Sequence, residues 1–253
     1  MIAGSLRALE RLLLPNACVS CDGPVASHAP DDLLCSLCRS RLRAPGRGCL
    51  RCQQPRPPVG PCRFCADWPD VLWGVRSAAW LGPEAREIVH HLKYEGYTAL
   101  GRPLADLIAR AVTRPRHGVL VPVPLGPARQ RERGYNQAAV IARALGAVWR
   151  VPVAAPLLHR VRDTRSQTTL TPDKRHANVA GAFRARAPRS RRPAAVILVD
   201  DVLTTGATLA AAAVALAAAG WTQVGAVTFA RALPFELRAD GTVEHGRMGH
   251  QGT

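Results

Sequence analysis

Two adjacent aspartates and a threonine-rich turn form the part of the sequence best suited to bind a charged small molecule. Asp200 and Asp201 follow an apolar run, and the segment 202–208 (Val-Leu-Thr-Thr-Gly-Ala-Thr) leads into an alanine-rich stretch. A buried parallel strand would carry both carboxylates to the carboxyl edge of a sheet, where α/β proteins bind ligands. Threonine hydroxyls, backbone N–H groups and a helix amino end suit a phosphate, whereas the acids suit sugar hydroxyls or magnesium. The segment therefore predicts a ribose-phosphate site; an ordinary strand–turn–helix with a threonine cap is the alternative.

The eight cysteines lie at the other end of the chain, in four Cys-x-x-Cys pairs. They are Cys18 and Cys21, Cys35 and Cys38, Cys49 and Cys52, and Cys62 and Cys65. In a chain that we expect to be cytoplasmic, this spacing indicates tetrahedral zinc sites rather than a disulfide framework. We favour sequential pairing, first pair with second and third with fourth, and a crossed pairing stays open. A closed four-cysteine site leaves no position for a substrate, so we expect two structural zinc ions.

The apolar pattern of the remaining chain indicates strands that alternate with helices. Strands are predicted over 71–80, 118–124, 194–199 and 224–229, and helices over 83–94, 102–112, 136–148 and 209–219. This alternation predicts an α/β domain with a parallel sheet and helices on both faces. We divide the chain into an N-terminal helix (1–14), a double zinc ribbon (15–68), the α/β domain (69–233) and a flexible tail (234–253).

The composition indicates a folded and strongly basic protein. Apolar residues make up 47% and charged residues 21%, which allows a packed core. We find no apolar run of about 18 residues and no signal peptide, so we expect a cytoplasmic protein without a membrane span. The net charge is +16, and all but two of the 34 basic residues are arginines. This charge favours polyanionic partners, or it reflects the codon preference of a GC-rich genome.

The ribbon segment is a candidate nucleic-acid surface because it is rich in arginine. Its arginines include Arg39, Arg41, Arg43, Arg47, Arg51 and Arg56. Surfaces that bind single strands usually combine basic groups with stacking rings, and Phe64 and Trp68 are the ring candidates nearby. With so few aromatic residues, nucleic-acid contact by this module stays open.

Several segments resemble a known family. Val196 to Thr208 resembles the signature with which type I phosphoribosyltransferases bind 5-phosphoribosyl 1-pyrophosphate (PRPP). The wider sequence resembles the ComF family of competence-associated proteins, in the cysteines and in Leu92-Lys93-Tyr94, Val121 to Leu125, Arg133 to Ala138, Arg160 to Gln167 and Arg175 to Phe183. Together these segments extend in family order from about residue 12 to residue 231. The resemblance implies a parallel-sheet, Rossmann-like phosphoribosyltransferase domain behind a small double zinc ribbon.

The resemblance also implies site residues. Asp200 and Asp201 would be catalytic and engage the ribose 2- and 3-hydroxyls. The 5-phosphate would be held by Thr204, Thr205, Gly206, Ala207 and Thr208. Pro124 and Leu125 lie where the family places a pyrophosphate loop, and the candidates for pyrophosphate contact are Arg129, Arg133 and Arg160 or Arg175. The stretch 160–178 resembles the mobile loop that covers PRPP, with Arg165, Gln167, Lys174 and Arg175 as lid residues; a solvated basic loop is the alternative.

We expect a magnesium-dependent enzyme that transfers the phosphoribosyl group of PRPP to an unidentified nitrogen acceptor, in the context of DNA uptake. The expected cofactors are zinc in the ribbon and magnesium with PRPP. The alternative is a non-catalytic protein that handles single-stranded DNA during transformation and binds PRPP or a nucleotide as a ligand. A third hypothesis is a PRPP-sensing adaptor that docks through the ribbon onto another protein, for which the competence machinery is the candidate.

Overall fold

A four-stranded parallel sheet forms the centre of the structure, a computed structural model that describes residues 17–26, 31, 33–46, 48–55, 60–115, 117–163, 179–188 and 195–233. The strands of the structure are β1 (Leu72–Trp80), β2 (Gly118–Pro122), β3 (Leu158–Arg160), β4 (Phe183–Ala185), β5 (Ala195–Leu203) and β6 (Val224–Arg231). The spatial order in the parallel sheet is β1-β6-β5-β2, and β3 and β4 form a separate antiparallel pair. The helices are α1 (Ser36–Arg41), α2 (Pro83–Tyr94), α3 (Gly101–Ala111), α4 (Pro127–Arg133), α5 (Gln137–Trp149) and α6 (Ala207–Ala218).

The parallel α/β sheet expected from the apolar pattern is confirmed, with one difference at its functional end. The sequence predicts a strand that ends before the two acids, whereas β5 continues through them to Leu203. The reason is β6, which is long enough to pair with this extension: Asp200 lies opposite Thr228, and Val202 lies opposite Ala230. Both carboxylates are therefore held by strand backbone, which fixes their positions more firmly than a turn would.

Each face of the sheet has its own hydrophobic core. On one face, residues of β5 and β6 such as Ile197 and Phe229 pack against helices α2, α3 and α5. On the other face, Leu198 and Ala226 pack against α6 and against the cysteines of the second ribbon. The strands are nearly all apolar because they are buried on both faces, as is usual in parallel sheets.

The cysteine-rich segment is attached to the edge of the sheet by backbone hydrogen bonds. The N–H of Val75 donates to the carbonyl of Arg51 at 2.8 Å, and the N–H of Trp80 donates to the carbonyl of Arg43 at 2.8 Å. The side-chain amide of Gln54 donates to the carbonyl of Ala232 just after β6, at 3.1 Å. An edge strand exposes unpaired backbone groups, and the ribbon covers those of β1. The ribbon and the sheet domain thus share one packed structure.

Some of the sequence predictions lie outside the described residues. They are the N-terminal helix (1–14), the tail (234–253), Arg47 and Arg56 of the ribbon, and Arg165, Gln167, Lys174 and Arg175 of the loop. Among the helices that the structure describes, none has the length and apolar character needed to cross a membrane.

Candidate functional site

The cysteines form two clusters in sequence order. The first contains Cys18, Cys21, Cys35 and Cys38, the second contains Cys49, Cys52, Cys62 and Cys65, and the sulfurs of each lie within 4.8 Å of one another. All eight are free thiols rather than disulfides. In the second cluster, the Sγ atoms of Cys49 and Cys65 are 3.6 Å apart, as are those of Cys52 and Cys62. Zinc–sulfur bonds of about 2.3 Å in a tetrahedron place the sulfurs about 3.8 Å apart, so both donor sets fit zinc.

Backbone N–H groups point at several of these sulfurs. The N–H of Cys35 donates to Sγ of Cys18 and that of Cys38 donates to Sγ of Cys35, each at 3.4 Å. The bond from Cys38 is the main reason that the pKa of Cys35 falls to about 7. Burial raises the pKa of Cys49, but N–H groups of Cys52 and Arg51 outweigh it and lower that pKa to about 7 as well. Each cluster therefore contains a thiol that favours the thiolate form that a metal needs.

A buried arginine from the sheet lies beside the second cluster. Arg231, at the end of β6, is 1% exposed, and its Nε and Nη1 have no hydrogen-bond partner among the described residues. Burial lowers its pKa, and the negative charges of Cys52, Cys62 and the other two thiolates raise it. Four thiolates around a divalent ion leave a net negative charge, which this guanidinium offsets. The ribbon and the sheet domain are therefore complementary in charge as well as in shape.

The two acids of β5 have different environments. The carboxylate of Asp201 forms an ion pair with Lys93, which is next to the last residue of α2, and it is almost fully buried. Asp200 accepts a hydrogen bond at its Oδ1 from the backbone N–H of Asp201, at 2.9 Å. Lys93 belongs to the Leu92-Lys93-Tyr94 segment, for which the sequence alone predicts no role. The acid pair thus has an internal cation that sequence reasoning missed.

This asymmetry separates the pKa values of the two carboxyls. Burial raises the pKa of Asp200 well above its usual value, and the neighbouring charge of Asp201 raises it further. Burial also acts on Asp201, but the charge of Lys93 and its hydrogen bond outweigh that effect and lower the pKa of Asp201. Adjacent carboxylates divide in this way when one of them has a cationic partner. Asp201 is therefore the ionised member of the pair, and Asp200 is the member that gains a proton first.

The threonine-rich turn connects β5 to the amino end of α6. Gly206 caps this helix with φ at +84°, in the left-handed region that favours glycine. The hydroxyl of Thr205 accepts a hydrogen bond from the N–H of Ala207 at 3.3 Å. The N–H groups in the first turn of a helix lack partners within the helix and attract anions. The turn thus places threonine side chains at the amino end of α6.

One cavity of about 400 Å³ joins the acids to this turn. Its lining includes nearly all of the described site residues expected from the sequence: Pro124, Leu125, Arg129, Arg133, Arg160, Asp200, Asp201, Thr204, Gly206, Ala207 and Thr208. Thr205 is missing from this lining, and its carbonyl instead accepts a hydrogen bond from Trp68 on the outer side of the turn. Arg175 lies outside the described residues.

Three arginines, Arg129, Arg133 and Arg160, bring positive charge to the lining of the cavity. Burial lowers the pKa of Arg160, and the nearby charge of Arg129 lowers it further. Arg133 donates to the side chain of Gln137 at 2.6 Å, and its guanidinium lies 5.2 Å from the centre of the Tyr94 ring. Like charges brought together cost free energy unless an anion offsets them. This part of the cavity is suited to a multiply charged anion.

The turn after β2, where the family resemblance places a pyrophosphate loop, has an acid at the start of α4. The carboxylate of Asp163 accepts hydrogen bonds from the N–H of Ala128 at the start of α4, at 3.3 and 3.4 Å, and it closely approaches Gly126. An acid therefore already occupies this helix end. In the lining that includes Pro124 and Leu125, positive charge therefore comes from arginine side chains rather than from this helix end.

The Arg133 to Ala138 segment connects the parts of the site. Gly134 ends α4 with φ at +79°, and the hydroxyl of Tyr135 donates to the carbonyl of Leu92 in α2. The side-chain amide of Asn136 donates to the carbonyl of Val123, directly after β2, at 2.9 Å. These bonds hold the carboxyl ends of α2 and β2 on the same loop. The segment therefore positions the site. In the sequence, the features that indicate this role are the hydroxyl of Tyr135 and the amide of Asn136, which lie between two helices.

The two aromatic residues considered for nucleic-acid stacking differ in accessibility. Trp68 is 4% exposed and packs against Gly206, so this candidate ring is not accessible for stacking on bases. Phe64 is half-buried, with the guanidinium of Arg63 5.1 Å from its ring centre. The ribbon lacks a platform of exposed rings in the part of the chain that the structure describes.

Comparison with known proteins identifies the family. The phosphoribosyl transferase domain model matches residues 101–243. The chain is 31% identical over 212 residues to the DNA utilization protein YhgH of Salmonella typhimurium, which covers 79% of this chain and 89% of that protein. It is 28% identical to the competence protein ComFC of Bacillus subtilis, over 71% of this chain and 76% of that protein. It is 32% identical over 130 residues to competence protein F of Haemophilus influenzae, over 48% and 57% of the two chains. The chain belongs to the ComF family and has a phosphoribosyltransferase domain.

Proposed function

We propose that the cavity binds PRPP together with magnesium, and that the protein transfers the phosphoribosyl group to a nitrogen acceptor. The observation that carries this proposal is the shared cavity, in which the β5 acids, the turn before α6 and the three arginines face the same space. PRPP has a sugar with two hydroxyls, a phosphate at one end and a pyrophosphate at the other. Each of these groups has a chemically matching wall in the cavity.

The described residues would bind PRPP along the length of the cavity. Helix α6 and its threonine turn hold the 5-phosphate, and the carboxylates of Asp200 and Asp201 accept hydrogen bonds from the ribose hydroxyls. Arg129, Arg133 and Arg160 bind the pyrophosphate. Magnesium, which suits the carboxylate and phosphate oxygens present here, would neutralise part of the charge on the leaving group.

The reaction exchanges one bond at the first carbon of the ribose. The bond from this carbon to the pyrophosphate oxygen breaks and its electron pair leaves with pyrophosphate, while the acceptor nitrogen supplies the pair for the new bond and then loses a proton. Positive charge develops on the sugar ring, and the carboxylates of β5 stabilise it. Arginine side chains stabilise the departing pyrophosphate in the same way.

Helix α2 supplies the wall on which the acceptor would lie. The cavity lining contributed by α2 and the segment before it consists of Leu81, Arg86, Val89, His90, Lys93 and Tyr94. The sequence offered no candidate for this wall. Its apolar and aromatic groups suit a flat ring, and Arg86 and His90 offer hydrogen-bond donors at the rim.

Pyrophosphate release tests the proposed catalysis. Zinc-loaded protein is mixed with PRPP, magnesium and separate panels of nitrogen acceptors, and pyrophosphate is measured with and without each acceptor. We expect at least one acceptor to increase pyrophosphate release, with a phosphoribosylated product of the matching mass, and Asp200→Asn to abolish the increase. PRPP binding without acceptor-dependent release from any panel would favour a protein that binds PRPP as a ligand.

The second candidate function is the handling of single-stranded DNA, with the cavity as a ligand site. The observations that favour it are the net charge of +16 and the relatives named for DNA utilization and competence. Deletion of residues 1–66 is unsuitable as a test, because the second cysteine cluster is part of the sheet core. Substitution of the exposed Arg41 and Arg43 leaves this core intact. If the ribbon binds DNA, the double variant should weaken binding and reduce its salt dependence, whereas equal binding at matched salt would contradict that role.

A further inference from the structure

We propose that the second cysteine cluster is a working part of the phosphate site, and that Trp68 is the positioning residue that connects them. This inference rests on the proposed function, because it concerns the turn that would hold the 5-phosphate of PRPP. It assigns the ribbon a role in ligand affinity beyond the stability of a small module.

Trp68 supports the phosphate turn from its outer side. Its indole Nε1 donates a hydrogen bond to the carbonyl of Thr205 at 3.2 Å. Its ring lies against Gly206, where any β-carbon would overlap the indole. The carbonyl of Thr205 is therefore engaged by the indole and does not line the cavity, which keeps its negative end away from a phosphate at the start of α6. Trp68 touches the turn and not the ligand, so its effect is on position.

Arg51 and the cluster hold Trp68 in place. Arg51 lies between Cys49 and Cys52, and its Nη2 donates to the carbonyls of Trp68 and Pro69 at 2.9 and 2.7 Å. Its other nitrogens donate to the carbonyls of Cys65 and Leu72, at 3.2 and 3.1 Å. One guanidinium thus binds four carbonyls in the segment that leads from the last cysteine of the cluster to β1. These four charge-assisted hydrogen bonds fix the backbone path of that segment.

The metal would complete this connection. The Cys49/Cys52 and Cys62/Cys65 turns are separate in sequence, and in the described structure all four sulfurs converge on one point. A bound ion would join the turn that contains Arg51 to the turn that precedes Trp68. The N–H of Trp68 also donates to the carbonyl of Cys65, at 3.3 Å. A metal ion in the second cluster would therefore affect the position of the phosphate turn through Trp68, which follows Cys65 by three residues.

The first cluster is a natural control. Cys18 and Cys38 belong to the hydrophobic core on the face of α2, α3 and α5, whereas the second cluster, Trp68 and Leu209 of α6 belong to the core on the other face. Loss of metal from either cluster should lower stability. Loss from the second cluster should also weaken phosphate binding.

Trp221 provides a matched control for the tryptophan itself. It is buried in the same core as Trp68, and its Nε1 donates to the carbonyl of Arg186 at 2.9 Å. It lies beyond the carboxyl end of α6, and twelve helical residues, about 18 Å, separate the two helix ends. Trp221→Phe removes the same atoms and the same type of hydrogen bond as Trp68→Phe, away from the turn.

The test measures the affinity of the full chain for three probes by calorimetry: PRPP with magnesium, ribose 5-phosphate, and inorganic pyrophosphate. We expect Trp68→Phe to weaken the affinity for PRPP and for ribose 5-phosphate about 3- to 10-fold, as the loss of one positioning hydrogen bond implies. The affinity for pyrophosphate and the zinc content should stay unchanged. Trp221→Phe should leave all three affinities at the wild-type level. Cys62→Ser should lose one zinc ion and bind PRPP and ribose 5-phosphate more weakly. Cys21→Ser should also lose one zinc ion but bind both probes with wild-type affinity.

The outcomes separate the two proposals. If the wild type binds PRPP and both phenylalanine variants bind it equally well, Trp68 has no positioning role, although the proposed function stands. If Cys62→Ser fails to fold, the comparison of Trp68→Phe with Trp221→Phe still decides. If the wild type binds neither PRPP nor ribose 5-phosphate, the proposed function fails and this inference fails with it.

Discussion

The ammonium group of Lys93 forms an ion pair with the carboxylate of Asp201, next to the cavity and at the end of the sheet. The lysine is 23% exposed at its side chain and the acid 5%. A protein that left two adjacent carboxylates without a cation in this position would hold both at a large cost in free energy. Lys93 makes the acid pair compatible with a stable fold before any ligand binds.

Removal of Lys93 should therefore destabilise the protein through Asp201. We expect Lys93→Met to lower the free energy of unfolding by about 3 kcal/mol, because it leaves a buried carboxylate without its partner. The double variant Lys93→Met with Asp201→Asn should recover most of that loss, since no unpaired charge remains. Chemical denaturation of the four proteins of this cycle measures the coupling. Additive losses would show that the ion pair contributes nothing to stability.

Asp200→Asn should make the protein more stable near neutral pH. The pKa of Asp200 is raised in the folded state, so the acid favours folding below its unfolded pKa of about 4 and costs stability as the pH rises through its folded pKa. Asparagine does not ionise and avoids this cost. The cost grows between the unfolded pKa and the raised folded pKa, so thermal denaturation should show a larger gain in Tm for the variant at pH 8 than at pH 5. A gain that is the same at pH 5 and pH 8 would contradict the raised pKa.

Gly206→Ala should destabilise the phosphate turn by more than the cost of placing an alanine in the left-handed backbone region. An alanine at φ +84° costs about 1–2 kcal/mol, and its β-carbon also overlaps the ring of Trp68. Gly181 has φ at +66°, and a β-carbon added there would meet no atom within 4 Å, so Gly181→Ala isolates the backbone cost. We expect Gly206→Ala to lose more stability than Gly181→Ala and to bind PRPP more weakly. Equal stability and unchanged affinity would show that the turn tolerates displacement.

Arg231→Met should weaken zinc binding by the second cluster. The buried guanidinium offsets the negative charge of a zinc ion with four thiolates, and residues that support metal ligands from outside typically change affinity 10- to 100-fold. Chelator competition should release one of two zinc ions from the variant at about 10-fold lower chelator concentration. Arg102→Met, which removes an exposed arginine paired with Asp106, should release zinc as the wild type does. Wild-type behaviour of Arg231→Met would contradict the charge compensation.

The sequence predicted the parts of the site that have local signatures. The two acids, the threonine turn and the spacing of the cysteines each lie within a few residues of one another, so local chemistry identifies them. Helix and strand periodicity likewise predicted the parallel sheet, with small errors at element ends. The extension of β5 through Asp200 could not be predicted, because it depends on pairing with β6.

The residues that sequence reasoning missed act through long-range contacts. Lys93 and Asp201 are far apart in the chain, and so are Trp68 and Thr205. In the sequence Trp68 is an aromatic residue near basic groups, and its burial against Gly206 depends on how the ribbon packs. Arg231 ends a largely apolar strand, which indicates a buried charged partner that only the fold could identify.

Calorimetric titration of PRPP with magnesium into the zinc-loaded protein tests the central claim most directly. The titration is repeated with Asp201→Asn and with Asp106→Asn, which alters an acid of α3 that pairs with Arg102 at the surface. A PRPP pocket built on the β5 acids predicts binding by the wild type and by Asp106→Asn, and loss of binding in Asp201→Asn with its fold intact. Absence of binding by the wild type, or equal affinity of all three proteins, would contradict the assignment of this cavity to PRPP.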